Sequence, residues 1–149
     1  MTTTTTPRKL FVNLAIKDAT RSRAFFSALG FTFNEQFSTA DTLCMVLSEQ
    51  GYVMLLEEAR FKEFTEREVC DTATHTEGIF ALSADSREDV DALVHKAFTA
   101  GGAAAQKPQD HGFMYGWSFY DLDGHHWEVF WMDPAAVEPQ TDAVGSTAS

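Results

Sequence analysis

The hydrophobic and polar positions of the chain follow the same order twice. Each half begins with an alternating apolar segment typical of a strand, continues with an amphipathic helix that ends at glycine, and closes with three more extended segments. The first half predicts strands at 10–16, 31–37, 42–48 and 52–57. The second half predicts strands at 79–84, 103–107, 113–120 and 125–131.

Capping residues set the ends of the two predicted helices. Asp18 is placed to cap a first helix that runs to about Leu29, and Gly30 ends it. A second helix follows Ser86, which opens a sequence similar to a capping box, and it ends at Gly101. Its apolar stripe has the spacing of one helix face and consists of Val90, Leu93, Val94, Ala97 and Phe98.

Two successive βαβββ units predict an α+β fold, because neither half alone covers its apolar sheet face. We expect the two modules to form a curled, incomplete-barrel sheet around a cavity. The expected divisions are flexible tails at 1–8 and 135–149, one folded domain at 9–134, modules at about 9–58 and 77–134, and a linker or lid at 59–76. Glutamine and glycine at 50–51 predict a hairpin turn inside the first module.

Strand alternation predicts which side chains face the cavity. If Val12, Leu14 and Ile16 pack under the first helix, the residues between them point the other way. The predicted cavity side of the two opening strands consists of Phe11, Asn13 and Ala15, then Ile79, Ala81 and Ser83.

Composition narrows the class of protein. The chain has 149 residues, of which 44% are hydrophobic, enough to bury one core. A net charge of −11 argues against nucleic acid as a partner. No apolar run is long enough to span a bilayer and the first residues lack a signal pattern, so we expect no membrane contact and a cytoplasmic location. Cys44 and Cys70 are expected to be free thiols.

Two segments carry a resemblance to a known family. FVNLAIKDATRSRAFFSALGF is similar to the first strand and helix of vicinal oxygen chelate proteins, the glyoxalase/bleomycin resistance protein/dioxygenase superfamily, and YDLDGHHWEVFWMDP is similar to their closing hairpin. The resemblance covers about 9–134. Members that are lyases, fosfomycin-modifying enzymes or dioxygenases hold a divalent metal with ligands from both modules.

The resemblance places hydrophobic residues where those members have metal ligands. The positions fall on Phe11, about Leu55, and Ile79, and none of these side chains can ligate a metal. The fourth position is Glu128, and one carboxylate is not a transition-metal site. We therefore expect no metal and no cofactor, with an apolar cavity floor in their place.

Glu128 is the candidate catalytic residue, as a general base, and it could equally orient a ligand or be a relic bonded to a neighbour. His126 should share its face of the strand. These two could build a relocated metal site if His111 or His75 joined them from a loop. His125, on the opposite face, is expected at the surface.

Further candidate ligand-binding residues are Asn13, whose amide needs a partner in an apolar cavity, and the aromatic residues Tyr115 and Trp117 near its mouth. Trp127, Val129 and Trp131 should be core. The linker could be a helical lid or a solvated connection. The apolar residues could also fill the interior completely and leave no pocket.

The leading hypothesis is a glyoxalase-like protein that binds a small organic molecule in an apolar cavity without a metal, with Glu128 and Asn13 as polar contacts. One alternative is a metal-dependent lyase, transferase or dioxygenase with a relocated site. Another is a non-catalytic, drug-sequestering protein similar to the bleomycin resistance members. A purely structural protein is the third. We expect a homodimer, since the open sheet has edges that a second copy can cover.

Overall fold

The computed structural model describes residues 6–136. Three helices and nine strands follow one another in this range. The strands are β1 Leu10–Ile16, β2 Thr32–Phe33, β3 Thr42–Val46, β4 Gly51–Glu57, β5 Ile79–Ser83, β6 Ala103–Ala104, β7 Gln109–Asp110, β8 Met114–Tyr120 and β9 His126–Met132. The helices are α1 Ala19–Ala28, α2 Glu58–Phe61 and α3 Arg87–Thr99. The expected tails at 1–8 and 135–149 lie mostly outside the described residues.

The strands form two sheets with matching connectivity. The first has the order β1-β4-β3-β2 and the second the order β5-β9-β8-β6, with the short β7 also paired to β8. In each sheet the opening strand of the module pairs in parallel with its last strand, and the other pairs are antiparallel. The predicted α+β fold of two βαβββ modules with curled, unclosed sheets is confirmed.

Both helix starts were predicted from local sequence and are confirmed. The Asp18 carboxylate accepts a hydrogen bond from the Arg21 amide at 3.1 Å, and the Ser86 hydroxyl accepts one from the Asp89 amide at 3.0 Å. The Asp89 carboxylate does not return to Ser86 and instead accepts from the Asp85 amide. The α3 start is therefore capped one residue further out than a standard capping box.

Two predicted strands are shorter than expected. The segment 31–37 is a strand only at Thr32–Phe33, because the Asn34 side chain accepts a hydrogen bond from the Gln36 amide and starts a 3₁₀ turn at Glu35–Phe37. The segment 103–107 pairs only at Ala103–Ala104. The polar chain that follows forms the additional strand β7.

One hydrophobic core joins the two modules. It contains the helix-covered face of each sheet together with the buried sides of α1 and α3. Phe26 packs edge-on against Trp127 at 5.5 Å, and Phe25 lies 6.2 Å from Phe119, so α1 of the first module contacts strands of the second. Trp127 and Val129 are fully buried, as predicted for the core stripe of the last strand.

The other face of each sheet is called its open face here. The open face of the first sheet carries Phe11, Asn13, Ala15, Tyr52, Met54 and Leu56, and that of the second carries Ile79, Ala81, Ser83, His126, Glu128 and Phe130. Phe11 is 49% exposed and Ile79 is 57% exposed. The two open faces therefore do not enclose these residues within one chain. In the described range no helix has the length and apolar character needed to cross a membrane.

Candidate functional site

Five of the predicted site residues lie on the open faces. Phe11 and Asn13 are on β1, Ile79 is on β5, and His126 and Glu128 are on β9. Ile79 pairs with His126, and Ala81 pairs with Glu128, so the second sheet presents these four residues side by side. Phe11 stacks on Tyr52 of the neighbouring strand, with ring centres 4.7 Å apart and planes 9° from parallel.

The expectation that Leu55 faces the cavity is wrong. Leu55 is paired with Leu14 in the parallel register, and both side chains are buried in the core under the helices. The open-face residues at this point of β4 are Met54 and Leu56. Neither side chain has the oxygen or nitrogen donor that Zn, Mn or Mg sites use, since the Met54 thioether suits only soft metals such as Cu(I).

The rings of Tyr115 and Trp117 pack on the helix side of the second sheet, and Trp117 also lines the small cavity that Glu128 lines. The Trp117 ring packs 5.6 Å from Phe98 of α3. The Tyr115 hydroxyl donates a 2.6 Å hydrogen bond to Asp91 of the same helix, and this bond, with burial and the negative charge nearby, raises the pKa of Tyr115 to about 12. Both residues therefore hold α3 on the second sheet.

Asn13 and Glu128 line different cavities of the single chain. Asn13 is exposed, and its amide donates to the main-chain oxygen of Phe11 at 3.1 Å, so it does not depend on Glu128 for a partner. Glu128 lies in a cavity of about 60 Å³ on the open face of the second sheet, between β9 and the chain around β7. The predicted pair of polar contacts is thus not assembled within one chain.

A larger cleft of about 1320 Å³ lies under the chain between β4 and β5. This segment, residues 58–78, extends slightly beyond the linker expected at 59–76 and is called the linker from here on. Its walls include Asn13 from the first open face and Tyr120 from the second, together with most of the linker. Acidic side chains are in excess here: the cleft is lined by Glu58, Glu68, Asp71, Glu77, Asp121 and Asp123, against Lys17 and Lys62. The helix α2 lies at the start of this segment and contributes Glu58 and Phe61 to the cleft.

The linker is attached to the turn between β8 and β9. The Thr72 hydroxyl donates to the main-chain oxygen of Asp123. Gly124, with a φ of +86°, lies so close that a Cβ atom there would come within 2.6 Å of the Thr72 oxygen. Glycine is therefore required at this position for both its conformation and its lack of a side chain.

The same turn contains a buried polar network that the sequence did not reveal. The expectation that His125 is a surface residue is wrong, since only 1% of it is exposed. Its Nε2 donates to the main-chain oxygen of Ala15 at 2.6 Å. Its Nδ1 lies 2.9 Å from Glu77 Oε2, within ion-pair range but without the geometry of a hydrogen bond. His125 thereby connects β1, the linker and β9.

Asp121 is the second buried member of this network. One of its oxygens accepts from the amides of Asp123 and His125, and the other accepts from Trp127 Nε1 at 2.8 Å. Burial raises the pKa of this carboxyl, against the opposing effect of His125 and of these donors. Asp121 therefore shapes the turn that presents His126 and Glu128.

His126 carries an unused polar atom. The residue is only 6% exposed, and its Nε2 is buried with no hydrogen-bond partner among residues 6–136. Its ring lies 5.5 Å from Tyr120, edge to face. A buried imidazole nitrogen without a hydrogen-bond partner is unfavourable. The Nε2 atom is therefore suited to bond a polar group from outside the chain.

The chain matches one family model over residues 10–129, described as the glyoxalase/bleomycin resistance protein/dioxygenase superfamily. It belongs to this superfamily. A comparison with curated proteins finds no match. The family assignment made from the strand–helix and hairpin segments is confirmed.

Solved structures show the same fold. A hypothetical protein from S. aureus is 31% identical, with a TM-score of 0.71, over 83% of this chain and 92% of that one. A glyoxalase-related enzyme from Fulvimarina pelagi is 17% identical, with a TM-score of 0.73, over 95% and 99% of the two chains. The fosfomycin resistance protein FosX from Listeria monocytogenes, solved with Mn(II) and sulfate, is 17% identical, with a TM-score of 0.60, over 84% and 90%.

The residues of this chain do not fit the metal that metal-binding members hold. The positions that the resemblance gives are Phe11, Ile79, Glu128 and the open-face neighbours of Leu55, which are Met54 and Leu56. Among these only Glu128 has an oxygen or nitrogen donor, and the Met54 thioether suits soft metals such as Cu(I). Within the described part of the chain, no three His, Cys, Asp or Glu side chains converge as metal ligands would. His75 lies in the cleft under the linker and His111 is exposed beside Phe113, so neither completes a site with His126 and Glu128.

Proposed function

We propose that the protein binds a small organic molecule against the open face of its second sheet, with Glu128 as the polar contact, and that no metal ion takes part. The observation that carries this proposal is the position of Glu128. It lines a cavity, it occupies the family's one remaining ligand position, and none of the described ion pairs engages it.

The surroundings of Glu128 support a binding role over a relic one. Phe130 and Met114 line the same cavity as the carboxylate, so a ligand there meets both apolar surface and one strong acceptor. This is the usual composition of a small-molecule site. His126, two residues earlier on the same face, adds a polar atom that lacks a partner in the single chain.

We also propose that a second copy of the chain completes the site. β1 and β5 are edge strands of their sheets, and apolar side chains on them are exposed: Leu10 by 65%, Phe11 by 49% and Ile79 by 57%. Unpaired edges with exposed apolar residues favour association. A twofold contact would place β1 of one copy beside β5 of the other, so Asn13 of one chain could approach Glu128 of its neighbour.

Binding is tested by ligand-observed NMR with a library of small organic fragments. Hits are measured again on Glu128→Gln and on Glu88→Gln, a control that removes an exposed carboxylate from the first turn of α3. A hydrogen bond to a charged group contributes about 1.5 to 3 kcal/mol. We therefore expect affinity to fall about 10-fold to 100-fold in Glu128→Gln and to stay unchanged in Glu88→Gln.

Two outcomes contradict the binding proposal. If every hit binds Glu128→Gln as tightly as the original chain, Glu128 is not in the site. If chelator removes binding and Mn²⁺ or Zn²⁺ restores it, a metal takes part after all.

The second copy is tested by sedimentation equilibrium. We expect a dimer that Ile79→Asp converts to a monomer, because a carboxylate would be buried in the contact. Phe64→Asp is the matched control, since Phe64 is 66% exposed but lies in the linker. A monomeric original chain, or equal dissociation of both variants, would show that the β1 and β5 edges are not the contact.

A further inference from the structure

The cavity that Glu128 lines is also lined by a basic residue. Lys107 lines it from the chain between β6 and β7, together with Gln106 and Gln109. The remaining lining residues are Met114, Gly116, Trp117, Ser118 and Phe130. Acidic, basic and apolar residues thus line one small space.

The two charges do not neutralise each other. Neither Lys107 nor Glu128 takes part in any of the ion pairs of the described chain. A ligand with its own separated polar groups would complement two opposite charges at one cavity. The net charge of −11 repels anions on average, so an anionic group would depend on this local ammonium.

The segment that carries Lys107 is held in place on both sides. The Gln106 amide donates to the Ser118 hydroxyl at 3.0 Å, and Gln109 pairs with Gly116 across β7 and β8. Asp110 then accepts two hydrogen bonds from the Arg87 guanidinium, at 2.6 and 3.0 Å. The backbone of Lys107 is therefore fixed relative to the sheet, as a preorganised site requires.

Gly116 keeps the floor of the cavity open. It lies opposite Phe130 in the antiparallel register of β8 and β9. A Cβ atom at this position would meet its nearest neighbours, Val129 O and Phe130 Cβ, at 3.5 and 3.7 Å, which are ordinary contact distances. Neither backbone strain nor crowding requires glycine at this position. What the glycine does is leave empty the space that a side chain would fill.

The volume limits the size of the ligand group. A water needs about 10 to 15 Å³ on this scale, so a cavity of about 60 Å³ holds about four to six water-sized atoms. A three-carbon acid with one further polar group is of this size. Larger ligands would place only such an end group in the cavity.

We infer that this cavity takes a short carboxylic acid, or the equivalent end of a larger molecule, that carries a hydroxyl or ammonium group beside the carboxylate. Lys107 binds the carboxylate, and Glu128 accepts a hydrogen bond from the neighbouring donor. The inference rests on the proposed function and adds the class of ligand. Both contacts are charge-assisted hydrogen bonds, the stronger kind in proteins.

The test uses four three-carbon probes: lactate, alanine, propionate, which lacks the donor, and methyl lactate, which lacks the charge. Affinities are measured by ligand-observed NMR on the full chain. We expect lactate or alanine to bind about 10-fold more tightly than propionate or methyl lactate. Which of the two binds distinguishes a hydroxyl donor from an ammonium donor.

Three variants assign the contacts. Lys107→Met should lower the affinity of the preferred acid about 10-fold, while Lys96→Met, on the exposed side of α3, should leave it unchanged. Glu128→Gln should reduce the preference for that acid over propionate. Gly116→Val should block all probes, and its circular dichroism spectrum and melting temperature establish that the sheet is intact.

The inference is overturned if Lys107→Met binds the acid like the original chain, or if a folded Gly116→Val does so. It is also overturned if none of the acids binds. In that last case the proposed function still stands when uncharged fragments bind in a way that depends on Glu128, and it fails with the inference when they do not.

Discussion

His125 Nε2 donates a hydrogen bond to the main-chain oxygen of Ala15, 110 residues earlier in the chain, at a distance of 2.6 Å. Ala15 belongs to β1, which has no strand partner on its outer side. The Ala15 oxygen lies at the edge of the first sheet. Its hydrogen-bond donor, the His125 imidazole, comes from the turn before the last strand of the second sheet. This contact is a direct polar connection between the two modules.

Replacing His125 with alanine should destabilise the protein by about 1 to 3 kcal/mol, because a buried acceptor loses its donor. Urea unfolding measures the change. His111→Ala is the control, since His111 is exposed, and it should change stability by less than about 0.5 kcal/mol. Equal unfolding midpoints for the two variants would show that the contact contributes nothing to stability.

Asp121 should make the protein less stable as pH rises, unlike most aspartates. Burial raises the pKa of its carboxyl, so the folded state holds the proton more tightly than the unfolded state. Its contribution to the free energy of unfolding is greatest below about pH 3.9, the ordinary pKa of an aspartate. That contribution is lost as the pH rises through the pKa of the folded state. Asparagine cannot titrate and cannot accept all three hydrogen bonds. The stability deficit of Asp121→Asn should therefore be largest at low pH and narrow as pH rises.

Asp41 provides the opposite case for the same unfolding experiment. The hydroxyls of Thr39 and Thr42 lower the pKa of its carboxyl, so its contribution is present above the ordinary range and is lost as pH falls. The loss of stability caused by Asp41→Asn should become smaller as the pH falls. Parallel pH profiles for the two variants would contradict the role given to burial at Asp121.

Gly124→Ala should destabilise the protein more than Gly30→Ala. Both glycines have positive φ, +86° and +102°, which costs a residue with a side chain about 1 to 2 kcal/mol. A Cβ at Gly30 meets nothing within 4 Å, whereas one at Gly124 meets the Thr72 backbone. Thermal or urea unfolding of the two variants gives the difference, which reports how firmly the linker is held against the turn. Equal losses of stability in the two variants would mean that the linker moves away from the turn without cost.

Tyr115 should ionise at a higher pH than an ordinary tyrosine when the folded protein is titrated with base. Its pKa is raised to about 12 by the hydrogen bond to Asp91, with burial adding to the effect. Absorbance near 295 nm follows tyrosinate formation. Tyr115→Phe should remove the last component of this titration, whereas Tyr52→Phe should not. A single component that Tyr115→Phe leaves unchanged in shape would contradict the buried hydrogen bond.

Helix starts could be predicted because their signals are local. Asp18 and Ser86 each bond to an amide three residues later, and that spacing is visible in the sequence. The predicted strand at 10–16 also matches β1, since one side of it is continuously apolar. The fold follows from such elements repeated in the same order.

The face of β4 could not be predicted in the same way. Residues 53–56 are all apolar, so alternation gives no sign of which ones face the helices, and a shift of one residue exchanges the two faces. The resemblance placed a ligand position at about Leu55, and β4 has no alternation that would have corrected it. In β8 a usable signal existed, because Gly116 and Ser118 alternate with Tyr115, Trp117 and Phe119, which marks the aromatic side as the one packed under α3.

The buried position of His125 depends on a partner that no short-range pattern identifies. Ala15 is distant in sequence, and its contribution is a backbone oxygen whose residue type is irrelevant. The cavity around Glu128 was missed in part for a similar reason. Lys107 lies in a segment expected to be a strand. It reaches the cavity that Glu128 lines because hydrogen bonds direct that segment along β8.

The parallel pairing of opening and closing strands gives the two modules different timing during synthesis. The first sheet can be completed as soon as Glu57 has left the ribosome, because β4 joins β1 to β3. The second must wait for Met132, because β9 lies between β5 and β8 and these two strands are not joined without it. Until then the nascent chain exposes the apolar side of β5 and β8, which is the period when it most needs protection from aggregation.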